Sequence, residues 1–306
     1  TYTNALVKSS EQLLCQLLGN DNRFVAVKTA DKLVWEILEH TKRNWQIATD
    51  ATIVWYIEKV INQIRTEDNV EQLKVLDRLS PEYLLEEICQ VIVARQIKTL
   101  EAYLAESRRG RKLSLDKTER ATVWKVYELF VQMLKQRNLE TWQQVRLKAE
   151  GIWSNSHSNP PYDAVVVDEA QDLDPSVLRL LFGLCKAPNR FFITADANQS
   201  IYRNGFTWAD VHESLKFQGR RTTILKTNYR STRQISEAAQ SYLANGALEI
   251  EAIDSVHVYR GPKPAVRSVQ SSEEEIQILA AFLPGAAHEC RVLLGSCAVL
   301  CPTVKI

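Results

Sequence analysis

Residues 164–175 constrain the fold more than any other stretch of the chain. Ala164-Val165-Val166-Val167 is a short, continuous apolar run that ends directly in Asp168-Glu169. Such a run predicts a strand buried on both faces of a parallel sheet. Asp174-Pro175 follows, pairing an N-cap residue with a residue favoured in the first helical turn. A helix is therefore predicted, with Val177, Leu178, Leu181 and Leu184 on its inner face. Further strands are predicted at Arg190-Phe191-Phe192-Ile193-Thr194 and at Thr222-Thr223-Ile224-Leu225. A second helix is predicted from Ser231, with Gln234 in capping-box position and Ile235, Ala238, Ala239, Tyr242 and Leu243 on its apolar face. Strand, helix, strand, strand, helix at these intervals defines an α/β class.

The first half of the chain has a different texture. Leu6, Leu13, Leu14, Leu17 and Leu18 predict a helix over 5–20, and Phe24-Val25-Ala26-Val27 predicts a short strand. From about Asn44 to Leu147 the pattern is almost all helical. Val54, Ile57, Ile61 and Ile64 fall on one face, as do Trp124, Tyr127, Val131 and Leu134. Between these helices lies a basic turn, Ser107-Arg108-Arg109-Gly110-Arg111-Lys112, read either as a phosphate contact or as a solvated loop.

Composition excludes little. With 306 residues there is room for about two domains. A net charge of +1 points to no polyanionic partner, although local stripes matter more than totals. The six cysteines, Cys15, Cys89, Cys185, Cys290, Cys297 and Cys301, form no C-x-x-C pair and read as buried thiols of a reducing compartment. No apolar run reaches the roughly 20 residues that span a bilayer. The N-terminus has no basic-then-apolar signal pattern, so the cytoplasm is expected and no membrane partner.

Three short segments carry chemistry, and each follows a predicted strand. In the first, Asp168 at the carboxyl end of a parallel strand can hold Mg²⁺ through a water, and Glu169 can orient or deprotonate an attacking water. Taken alone, an acidic pair after a strand is more often an ordinary turn. In the second, Ala195-Asp196-Ala197-Asn198-Gln199-Ser200-Ile201-Tyr202, the Gln199 amide can both donate and accept, and so can sense a terminal phosphate. Tyr202 can stack on a base, or be a half-buried loop residue. In the third, Asn228-Tyr229-Arg230-Ser231-Thr232, Arg230 offers a rigid fork for phosphate oxygens and Tyr229 could stack on a purine.

In this order, within about 65 residues, the three segments together resemble the UvrD/Rep group of superfamily 1 DNA helicases. Val167 to Asp172 resembles that family's motif II, Asp196 to Tyr202 its motif III, and Asn228 to Thr232 its motif IV. Thr1-Tyr2-Thr3-Asn4 looks like motif Ia, which contacts single-stranded DNA in the family. Lys28-Thr29-Ala30-Asp31 occupies the place of the next DNA-contacting segment, with a poorer match. The resemblance implies a RecA-like P-loop NTPase domain, incomplete here, with an inserted helical subdomain and the start of a second RecA-like domain. It implies the boundaries 1–43 and 148–225 for the first RecA-like domain, 44–147 for the insertion and 226–306 for the second. The segment Ala298-Val299-Leu300-Cys301-Pro302-Thr303 then resembles a strand of that last domain.

The implied activity is ATP-dependent translocation along single-stranded or partly duplex DNA, 3′-to-5′ by family analogy. In that mechanism Asp168 holds Mg²⁺, Glu169 activates water and Gln199 contacts the γ-phosphate of ATP. Arg230 reaches the same phosphate, Tyr229 stacks on adenine, and DNA passes Thr1, Tyr2, Thr3, Asn4 and Tyr202. The sequence also departs from the pattern. None of its ten glycines precedes a lysine, so the family's G-x-x-x-x-G-K-[ST] phosphate loop is absent, as are motifs V and VI. The expectation is a chain cut at both ends that does not hydrolyse ATP alone. Ala195 stands where the family often has Gly, and Asn204 where many relatives carry a DNA-gripping Trp. The alternative is a non-catalytic module that binds single-stranded nucleic acid or a protein.

Overall fold

The computed structural model describes residues 4–39, 41–42, 44–67, 69–108, 113–156, 158–195, 211, 223–245 and 256–300. The chain divides into two compact units, Thr1–Thr223 and Ile224–Ile306.

The first unit opens with α1 (Asn4–Leu18), none of whose residues is buried. The strand expected at 24–27 does not form. Gly19–Phe24 winds into a 3₁₀ turn, and the Val25 amide closes back on the Asn22 carbonyl at 3.0 Å. That local bond uses a group a strand would offer to a neighbour, and no described strand lies alongside. Helix α2 (Ala30–Leu38) is started by Thr29, whose hydroxyl accepts from the Lys32 amide.

The helical stretch forms as expected: α3 (Asp50–Arg65), α4 (Val70–Arg78), α5 (Pro81–Glu87), a π-helical turn at Ile88–Val93, α6 (Leu100–Ala105) and α7 (Lys117–Gln136). Helix α3 buries Ile57, Ile61 and Ile64 as the apolar spacing predicts, together with Ile53 and Val60, while Val54 is only half-buried. Helix α7 starts from a capping box in which Asp116 and Glu119 satisfy each other's backbone amides. These helices share one apolar core. The short strands β1 (Gln46–Ile47) and β2 (Leu139–Glu140) flank them in sequence and pair in parallel, which brings the two ends of the helical stretch together. Neither strand is legible from the sequence, because two residues show no periodicity.

A second core gathers α2, α8 (Trp142–Asn155), β3 (Val165–Val167), α9 (Pro175–Gly183) and β4 (Phe191–Ile193). Asp174 caps α9 as predicted, accepting from the Ser176 and Val177 amides. Val177, Leu178, Leu181 and Leu184 are all buried. Strands β3 and β4 pair in parallel, Val165 opposite Phe191 and Val167 opposite Ile193. The expectation of burial on both faces is wrong, however. Val166 and its partner Phe192 are 70% and 57% exposed, because α9 and the rest of this core pack on one side only. A continuous β-branched run sets strand character but not how many faces are covered.

Within the basic turn, Arg108 departs from both readings. Arg109 to Lys112 lie outside the described residues, but the Arg108 side chain is buried. Its Nε and Nη2 donate to the two oxygens of Glu87 at 2.5 and 2.8 Å, and Nη1 donates to the Leu113 carbonyl at 2.8 Å. The Tyr103 hydroxyl donates to the same carboxylate at 2.8 Å. With side-chain exposures of 5% and 0%, the Arg108–Glu87 pair is a tie inside the helical core and not a phosphate contact. The cysteines divide likewise: Cys89 and Cys185 are buried, whereas Cys15 and Cys290 are exposed, Cys297 is half-buried and Cys301 lies outside the described residues. Burial and the Asp174 charge push the Cys89 thiol up to about 12.

In the second unit β5 forms at Thr227–Asn228 rather than at 222–225, and pairs in parallel with β6 (Val256–His257). The Val256 amide meets the Lys226 carbonyl at 2.8 Å, so the partner strand fixes the register downstream of the apolar run. Helix α10 (Arg233–Asn245) is capped by Thr232, not Ser231, at 3.4 Å from the Ile235 amide. Gln234 is drawn out of the capping role, accepting instead from the Gly261 amide at 2.9 Å. Gly261 approaches so closely that a Cβ there would lie 2.8 Å from the Thr232 methyl. Ile235 and Tyr242, expected on an apolar face, are exposed. Helix α11 (Ser272–Glu289) follows, and Ala298–Leu300 is not a strand.

Removing one partner of a buried ion pair leaves the other charge stranded. Arg108→Met is therefore expected to destabilise the helical core by about 3–5 kcal/mol. Urea denaturation followed by circular dichroism checks this, and a loss under about 1 kcal/mol would contradict it.

Candidate nucleotide site

The site is built at the carboxyl edge of β3 and β4, where parallel pairing brings two strand ends level. The Thr194 amide donates to the Val167 carbonyl at 2.8 Å, and the Ala170 amide returns to the Thr194 carbonyl at 3.0 Å. These two bonds hold Asp168 and Glu169 between them as an outward turn. The Thr194 hydroxyl donates to Asp168 Oδ1 at 2.5 Å, orienting a solvent-exposed carboxylate. Carboxylate and hydroxyl are both hard oxygen groups, the kind that suits Mg²⁺.

Glu169 reverses the chain. Its backbone is left-handed, φ 54° and ψ 45°, a conformation that costs a residue with a side chain about 1–2 kcal/mol. A 3₁₀ turn follows at Ala170–Asp172. Gln171 is buried, and its amide Nε2 donates to Glu169 Oε2 at 2.5 Å. The half-buried Glu169 carboxylate is thereby aimed by the residue two positions on.

Of the residues singled out from the sequence, the structure thus brings Asp168 and Glu169 together on one turn. Gln199 and Tyr202 lie outside the described residues, as do Thr1, Tyr2 and Thr3. Asn4 is the exposed first residue of α1. Tyr229 and Arg230 sit together in the second unit, where β5 passes into α10. There the Asn228 side chain accepts from the Arg230 and Ser231 amides at 2.9 and 2.8 Å, and Tyr229 is 69% exposed. In the Lys28–Asp31 segment, Lys28 pairs with Glu36 at 2.7 Å and Asp31 with Arg146 at 2.8 Å. Sequence reasoning missed Thr194 and the hold of Gln171 on Glu169. Thr194 could have been found from strand register, since it follows the residue paired with Val167.

A family model described as the UvrD/REP helicase N-terminal domain matches residues 1–221. The chain belongs to that family. Among curated relatives it is 25% identical over 258 residues to a protein named DNA helicase II from Escherichia coli K12, covering 80% of this chain and 33% of the relative. It is 24% identical to DNA helicase II of Salmonella typhimurium, with the same coverage. To the ATP-dependent DNA helicase PcrA of Leuconostoc citreum it is 23% identical over 263 residues, covering 79% of this chain and 32% of the relative. The chain thus spans about a third of the length of these relatives.

The left-handed backbone at Glu169 can be separated from its carboxylate. Glu169→Ala and Glu169→Gly both lose the carboxylate and its bond to Gln171, but only glycine adopts this φ without strain. The glycine variant is expected to be the more stable of the two by about 0.5–1 kcal/mol, read from urea midpoints. The reverse order would place Glu169 in ordinary backbone.

Proposed function

We propose that this chain supplies part of the ATP site of an ATP-dependent DNA helicase, a motor that couples hydrolysis to movement along single-stranded DNA. The observation that carries this is the acidic pair at the carboxyl edge of β3. Asp168 is set by Thr194, and Glu169 is held in a strained turn and aimed by Gln171. An ordinary acidic turn needs neither hydrogen bond nor strain, whereas a catalytic carboxylate needs a fixed direction. In this reading Asp168 holds Mg²⁺ through a water, with Thr194 orienting the carboxylate. The bound metal supplies charge neutralisation on the phosphate oxygens. Glu169 accepts a proton from the water that attacks the γ-phosphate.

The remaining roles rest on the family resemblance. Gln199 contacts the γ-phosphate, Arg230 reaches it from the second domain, and Tyr229 stacks on adenine. Thr1, Tyr2, Thr3, Asn4 and Tyr202 contact single-stranded or partly duplex DNA, with 3′-to-5′ movement. The proposed division is a RecA-like domain at 1–43 and 148–225, an inserted helical subdomain at 44–147 and a second RecA-like domain from 226. The cytoplasm is the proposed location, and no helix among the described residues is long and apolar enough to cross a membrane.

In the complete protein, Glu169→Gln is expected to abolish DNA-stimulated turnover while ATP still binds. ATPase assays and nucleotide titration check this, and near-normal turnover would overturn the assignment. Residues 1–306 alone contain no Gly-Lys phosphate loop and are expected to show no measurable ATPase. A Mg²⁺-dependent, DNA-stimulated rate from this chain would contradict that.

A further inference from the structure

The turn at 168–173 is anchored on one side by the β3–β4 ladder. Its other anchor is Asp174. One oxygen of this carboxylate, Oδ1, accepts from the Ser176 amide, the Ser176 hydroxyl and the Val177 amide at 3.1, 2.5 and 3.1 Å. The other, Oδ2, accepts from Arg146 Nη1 at 3.0 Å. Arg146 comes from α8 and turns its second edge to α2, where Nε and Nη2 both donate to Asp31 Oδ1 at 2.9 and 2.8 Å. Its guanidinium also lies 5.7 Å from the Trp142 ring centroid. One planar fork therefore joins three elements, α8, α2 and the start of α9.

We infer that Arg146 is a positioning residue for the proposed catalytic turn, strapping its C-terminal anchor, Asp174, to Asp31 on α2. The inference deepens the ATP-site reading and rests on it. The geometry explains why Arg146 acts on direction more than on mere folding. The helix cap uses Asp174 Oδ1 and survives without Arg146, since its three donors belong to α9 itself. Arg146 holds Oδ2, and so governs how the capping carboxylate, and the turn ending at it, sit against α2 and α8. Asp174 is only 13% exposed at the side chain, so solvent cannot replace the lost donor well. Asp31 at 41% can find water when the strap is cut. Burial opposes the charge on Arg146, but Asp174 and Asp31 outweigh it and the guanidinium stays charged.

A misplaced catalytic group costs up to about a hundredfold in rate even when the change lies away from the chemistry. The test uses the complete protein at saturating single-stranded DNA. It compares Arg146→Met, Arg146→Lys, Asp31→Asn and Glu169→Gln in kcat, KM for ATP, affinity for a non-hydrolysable ATP analogue, and thermal midpoint. For Arg146→Met, kcat is expected to fall roughly 10- to 100-fold, with KM and analogue affinity within about twofold of wild type. Arg146→Lys keeps a charge that can reach one carboxylate and should recover most of the rate. Asp31→Asn cuts only the outer half of the strap and should lower kcat about threefold.

If Arg146→Met fails to fold, the lysine and asparagine variants decide the matter. Wild-type kcat in both overturns the inference, and a lowered kcat at unchanged KM supports it. Wild-type kcat in Arg146→Met beside an inactive Glu169→Gln overturns the strap alone. Loss of analogue binding in step with the thermal midpoint also overturns it, as the mark of a purely structural role. An active Glu169→Gln overturns the ATP-site reading and the inference with it.

Discussion

The parallel pairing of β3 with β4 is the interaction on which the candidate site depends. It is only three residues deep, yet it sets Val167 beside Ile193 and so places Thr194 next to Asp168. Two backbone hydrogen bonds at the strand ends then force the chain to reverse at Glu169. A one-residue slip would send Thr194 to the opposite face and leave Asp168 without its orienting hydroxyl. Register is held by the one packed face: Val167 and Phe191 are buried together with the inner residues of α9. The exposed Val166–Phe192 pair adds little to that specification.

Charge is used inward in this chain more than its near-neutral total suggests. Arg108 is spent on Glu87, Arg146 on Asp31 and Asp174, and Arg179 on Glu150 and the Ala94 carbonyl, at 3.6 and 3.2 Å. For Arg179, burial outweighs the pull of Glu150 and Asp174 and lowers its pKa. Arg146 and Arg179 both tie α8 and α9 to neighbouring elements. Arg146 reaches Asp174 at the start of α9, and Arg179 leaves α9 toward the π-helical turn of the helical stretch. Arg108, read from the sequence as part of a possible phosphate contact, thus serves like the other two as a tie between elements. A guanidinium suits this use, because its fork satisfies several acceptors at once.

Much of the fold was legible where local physics decides it. The capped start of α9, its four inner residues, the strand before the acidic pair and the helical texture of 44–147 all follow from spacing, capping and β-branching. The misplaced strands share one cause, which is that pairing partners are chosen in three dimensions. Phe24–Val27 has strand composition but no strand neighbour among the described residues, and Ile224-Leu225 loses its strand to Thr227–Asn228 because β6 meets the chain there. At the site, Asp168 and Glu169 stood out because a strand ends in them. The hold of Gln171 on Glu169 left no signal, since a buried glutamine in a turn reads as an ordinary polar residue. Arg146 was invisible for another reason: Asp31 lies 115 positions away in sequence and Asp174 lies 28.

In the proposed site Asp168 and Glu169 divide their labour, one facing the metal and the other the water. Electron paramagnetic resonance of Mn²⁺ bound with an ATP analogue to the complete protein tests this most directly. The expected result is a nucleotide-dependent bound-Mn²⁺ signal that Asp168→Ala removes and Glu169→Gln leaves in place. A signal indifferent to Asp168→Ala, or lost equally in both variants, would contradict it.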